Sequence, residues 1–132
     1  MEEQPEARLV VRRPELAGPV LERVVAALAA RVDLPIDRVS DAQIASAALA
    51  VAASRELADE PLRVEFVSEP GSVTVRLGPL PAGAATRVVE GTAVPGFGAI
   101  VERLVDRWSV DRAEGGERLS LAIAGGAGVR PS

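Results

Sequence analysis

Between Ala42 and Ala53 the chain sets eight residues no larger than serine into one run: Ala42, Ala45, Ser46, Ala47, Ala48, Ala50, Ala52 and Ala53. Alanine is the best intrinsic helix former. Side chains this small also let a helix backbone come close to whatever it covers. A helix that is apolar and small on most sides belongs in an interior, pressed against something flat, and a β-sheet is the natural candidate. The pattern predicts a buried helix from about Pro35 to Ala58, ended by Asp59-Glu60-Pro61.

The flanking segments supply that sheet. Ala7 to Arg13 contains Leu9, Val10 and Val11 before Pro14 and reads as a first strand. From about Glu15 to Arg31, Leu16, Val20, Leu21, Val24, Val25 and Leu28 recur at helical steps, with Glu22, Arg23 and Arg31 outside. Leu62, Val64 and Phe66 alternate with polar residues, as do Val73, Val75 and Leu77. With Glu69-Pro70-Gly71-Ser72 between them, they predict an antiparallel hairpin. The stretch from Gly78 to Gly98 reads as a loop, with room for a short segment at Thr86 to Val89. A third helix is expected from Phe97 to Arg107, then strands at Trp108 to Arg112 and Arg118 to Ala124 around Gly115-Gly116. Residues 1–6 and 125–132 read as tails around one domain at 7–124. The expected fold is an α/β (α+β) two-layer sandwich. Its mixed, mostly antiparallel sheet would be covered on one face by three helices.

Composition narrows the chemistry. The chain of 132 residues has no Cys and no His, and it also lacks Lys, Asn and Tyr. Disulfides, thiol nucleophiles and thiolate metal sites are excluded, as are imidazole bases and ligands. A Walker-type phosphate loop and Schiff-base chemistry both need a lysine. Ser40, Ser46 and Ser54 have no His or Lys to activate them. The net charge of −4 argues against nucleic acid or an anionic membrane as the main partner, and all fifteen cations are Arg. Those arginines read mainly as a solvated, salt-bridged surface. Met1-Glu2-Glu3 is acidic where a secretory signal is basic, and Ala42 to Ala53 is too short to span a bilayer. The expected location is the cytoplasm.

The order β-α-α-β-β-loop-α-β-β resembles the ATP-binding domain of the GHKL superfamily, the histidine-kinase-type ATPases. The bacterial anti-sigma factor and serine-protein kinase branch is the nearest likeness. The resemblance rests on Asp41 to Ala53, on Pro95-Gly96-Phe97-Gly98 with the helix to Trp108, and on Gly115-Gly116-Glu117-Arg118-Leu119-Ser120-Leu121. It implies a fold for roughly residues 7–124. It also implies where ATP and magnesium would be held, and there the chain departs. By register from Asp41, Ala48 stands at the family's catalytic Glu position and Ala52 at its metal-binding Asn position. Leu77-Gly78-Pro79 occupies the stretch of the adenine-binding Asp. A methyl group neither accepts a proton nor offers an oxygen to Mg²⁺.

The expectation is therefore a degenerate GHKL domain that binds a protein without ATP hydrolysis or phosphotransfer. It would have no cofactor, no catalytic residue and no metal site. Gly96 and Gly98 would be the remnant of a phosphate turn, with Arg87 or Arg103 in a position to assist. The resemblance implies a sigma factor or a STAS-type anti-anti-sigma protein as partner, and it allows for a homodimer. Two alternatives stand beside it. One is an ATP-binding anti-sigma factor that phosphorylates its partner. The other is a small-molecule module with the 78–98 loop as its lid. Phe97 and Trp108 read as core anchors, with an interface role for Trp108 as the alternative. Asp106 and Asp111 read as a solvated pair at a helix end and a strand start.

Overall fold

The computed structural model describes residues 5–95 and 98–125. Gly96, Phe97, most of the expected N-terminal tail and the expected C-terminal tail beyond Gly125 lie outside the described residues. Strand β1 (Ala7–Val11) leads through a 3-10 turn (Pro14–Leu16) into α1 (Ala17–Arg31) and α2 (Ile36–Arg55). Strands β2 (Leu62–Glu69) and β3 (Ser72–Leu80) follow, then α3 (Ala84–Glu90) and the two-residue strands β4 (Ala93–Val94) and β5 (Gly98–Ala99). Helix α4 (Ile100–Leu104), β6 (Arg107–Ala113) and β7 (Gly116–Ala124) complete the described chain.

The main sheet has the order β1-β2-β3-β7-β6, and every pairing in it is antiparallel. The two-layer α+β sandwich expected from the sequence is what the chain adopts. The sheet is wholly antiparallel rather than mixed. The reason is that two successive helices, α1 and α2, separate β1 from β2. Each helix reverses the chain once, so β2 comes back against β1 running the opposite way.

Register explains the two faces. Leu9 stands opposite Val64, Val64 opposite Leu77, Leu77 opposite Leu119, and Leu119 opposite Val110. Ala7, Phe66, Val75, Leu121 and Trp108 form the next row on the same face. Phe66, Val75, Leu77 and Leu119 are fully buried there. Alternate residues put Arg8, Glu65, Arg76, Ser120 and Ser109 in a row on the other face. That period of two is why one face carries the core and the other stays polar.

The helices supply the second layer. Helix α1 buries Leu21, Val25, Leu28 and Ala29. Helix α2 buries Ala42, Ala45, Leu49, Ala50 and Ala53, as its composition predicts. A Cβ on Gly18 of α1 would stand only 3.4 Å from Val51 of α2, so the two helices meet closely at that crossing.

The third layer-forming segment differs from expectation. The loop predicted over 78–98 begins instead as a continuation of β3 to Leu80 and then forms α3. Among the described residues, four α-helices therefore take the place of the expected three. The helix expected over 97–107 is limited to Ile100–Leu104. Val105 turns to extended geometry, and the Asp106 N–H joins the sheet by donating to Ala122 O at 3.0 Å. Among the described residues no helix is long and apolar enough to cross a membrane.

Candidate functional site

Two of the positions singled out in the sequence, Ala48 and Ala52, line one groove. Ala48 and Ala52 lie one turn apart on α2, beside Ala47, Val51 and Arg55. Gly91 and Thr92, at the end of α3, form the opposite wall of a shallow groove of about 380 Å³. Ala52 is buried, and Gly91 approaches so closely that a Cβ added there would lie 3.6 Å from the Ala52 methyl. Among the described residues, the only ionisable side chain in the lining is that of Arg55. On the α2 wall, Ala48 and Ala52 present methyl groups rather than oxygens.

The segment facing α2 is held in place at several points. Ala84, Ala85, Val88 and Val89 of α3 are buried in the core, as is Leu80 ahead of them. At the helix start, Gly83 takes a left-handed conformation and offers no side-chain cap. The carboxylate of Glu117, from β7, accepts the N–H of Gly83 at 3.0 Å and the N–H of Ala85 at 3.1 Å. Those two hydrogen bonds hold the Glu117 carboxyl below its ordinary pKa, with Arg87 and Arg112 adding a smaller pull in the same direction. Near the other end, Arg87 donates to Glu56 at 3.0 and 3.1 Å, joining α3 to the end of α2. That contact raises the already high Arg87 pKa.

Thr92 continues the chain of restraints. Its hydroxyl donates to Val89 O at 2.7 Å, and its carbonyl accepts the Ile100 N–H at 3.0 Å. The Val101 N–H reaches its Oγ1 at 3.5 Å. Two N–H groups at the start of α4 are therefore directed at Thr92.

Of the two residues expected to mark the remnant phosphate turn, Gly96 lies outside the described residues. Gly98 is exposed in β5, opposite Val94, with φ of +76°. Arg103 lies in α4, and Arg87 is engaged with Glu56. The Leu77-Gly78-Pro79 stretch is part of β3, with Leu77 buried against Leu119.

One cluster escaped the sequence reading. Arg38, near the start of α2, extends its guanidinium to Asp41 at 2.7 Å and to Asp106 at 2.6 Å. It also donates to Leu104 O at 3.2 Å and Ala124 O at 3.1 Å. Asp106 in turn accepts the Ala124 N–H at 2.7 Å. Asp106 is thus tied into the fold rather than being half of a solvated pair. Asp111 is exposed in the middle of β6, opposite Arg118. The signal for the cluster was Arg38 three residues before Asp41, the spacing at which helical side chains meet. Trp108 is half-buried and packs against the core, as one of the two readings had it.

Compared with known proteins, the chain matches no family model and no curated protein sequence.

Proposed function

We propose that this chain is a protein-binding regulator of the anti-sigma type. It is a degenerate GHKL-like domain that neither hydrolyses ATP nor transfers a phosphoryl group. The observation that carries this reading is the pair Ala48 and Ala52 on one side of α2, with Gly91 closed against Ala52. Phosphoryl transfer depends on a cation to offset developing charge and on a group that orients or deprotonates the nucleophile. Methyl groups do neither.

The collapse also has a physical logic. A polar side chain retained in a buried site with no ligand to pair it costs about 1–3 kcal/mol. Alanine removes that cost and lets α3 settle against α2. The partner proposed from the resemblance is a sigma factor or a STAS-type anti-anti-sigma protein, bound in the cytoplasm.

The test is reconstitution with a partner captured from the native host. The complex is expected to form without nucleotide, and added ATP and magnesium leave the partner's serines unmodified. Magnesium-dependent phosphorylation of a partner serine would contradict the reading in favour of a working kinase.

A further inference from the structure

We propose that the face of the main sheet opposite the helices is the surface on which the partner docks, and that the segment it receives is an acidic stretch of protein. This rests on the reading of the chain as a protein-binding regulator and adds the surface and the chemistry. No described element lies over that face. Val67 points to it and, although buried, stands outside the core cluster.

The charge on this face is opposite to that of the chain. Arg8, Arg63, Arg76, Arg107 and Arg118 are on it, from all five strands. The acids there are Glu65, Glu69, Asp111 and Glu114; Arg8 holds Glu65 at 3.4 Å, and Asp111 stands opposite Arg118. Arginine is in the majority on this face, whereas the whole chain has a net charge of −4. The rest of the chain therefore carries the acidic excess. An acidic segment is drawn to the sheet face and repelled elsewhere, so orientation is set before contact.

The surface is also shaped. Arg8, Arg63, Arg76 and Arg118, with Glu65 and Glu114 among them, line a hollow of about 290 Å³ over Gly78 and Pro79. Gly78 has φ of +141°, and a Cβ there would stand 2.6 Å from the Glu117 carbonyl oxygen, so the position accepts only glycine. No side chain rises from it to fill the hollow. A broader depression of about 810 Å³ continues beside it across Thr74, Ser109, Ser120 and Arg107. Guanidinium groups bind carboxylates through paired N–H donors, and the serines and threonine supply further donors.

The experiment is a fluorescence-anisotropy titration of the intact chain with a labelled oligoglutamate peptide. Amide shifts in the nuclear magnetic resonance spectrum map the contact. Binding that weakens with salt is expected, with shifts on β2, β3 and β7. The R63E/R118E variant is expected to lose about tenfold in affinity, while R23E/R31E, on helix α1, binds as the parent does. Circular dichroism verifies that both variants fold; if R63E/R118E does not, the parent's shift map decides alone. Equal loss in both variants, shifts confined to α1 and α2, or equally tight binding of inorganic phosphate or a single-stranded oligonucleotide would overturn the proposal. If instead a captured protein cross-links to the helix side, the docking surface is refuted while the protein-binding reading stands.

Discussion

Arg38 and Asp106 meet at 2.6 Å, although 68 residues separate them in the chain. Around that contact the start of α2, the end of α4, the entry to β6 and the end of β7 converge. The Arg38 side chain is only 19% exposed, so its guanidinium is largely withdrawn from water and depends on these oxygens. Arg38→Ala is expected to leave Asp41, Asp106 and two carbonyls short of a donor, lowering stability by about 3 kcal/mol. Asp106→Asn is expected to cost less, because its side chain is about half exposed. Urea unfolding of both variants, with an unchanged dependence on denaturant, checks the order.

Acid is expected to loosen α3 first. Glu117 has a folded-state pKa below its ordinary value of 4.5 because its ionised form accepts the Gly83 and Ala85 N–H groups. A depressed carboxyl contributes its full stabilisation above the unfolded value, and loses it as pH falls through the folded one. Amide exchange in Ala84–Glu90 should therefore accelerate below about pH 4.5 relative to β2 and β3, after correction for the intrinsic rate. In Glu117→Gln that pH dependence should disappear.

Ser46 is fully buried, and its hydroxyl has no hydrogen-bond partner among the described residues. Ser46→Ala removes a polar atom that lost its water on folding and gained nothing in return. The variant is expected to be more stable by about 1 kcal/mol, read as a higher melting temperature. A lower melting temperature would mean that the hydroxyl is paired after all.

Placing an oxygen-bearing side chain in the groove is expected to damage the fold without creating nucleotide binding. Ala52 is 6% exposed and sits against Gly91. Ala52→Asn places an amide where its polar atoms have no partner, costing about 1–3 kcal/mol. Calorimetric titration of this variant with magnesium and ATP is expected to give no heat of binding.

The parts of the fold that were legible in the sequence are those with local rules. Strict alternation in Leu62 to Phe66 and Val73 to Leu77 fixes which residues face the core. The Pro70-Gly71 turn, with Gly71 at φ of +80°, joins the two strands. Helices α1 and α2 follow from apolar spacing and alanine content. Helix α3 was legible only as a short segment at Thr86 to Val89, because its seven residues lie between two glycines and its N-terminus is held by Glu117, more than thirty residues away. Tertiary partners, not local pattern, make it a helix. The same reason hid the Arg38 cluster, since a surface arginine and a buried one have the same letter. The groove was legible only by resemblance: Ala48 and Ala52 carry meaning as alanines solely against a pattern that has Glu and Asn there.

The central claim is that α2 presents methyl groups where nucleotide chemistry requires oxygen. Its most direct test is calorimetric titration of the parent chain with ATP, with and without magnesium. The account predicts no saturable binding in either condition. Micromolar binding that depends on magnesium would contradict it.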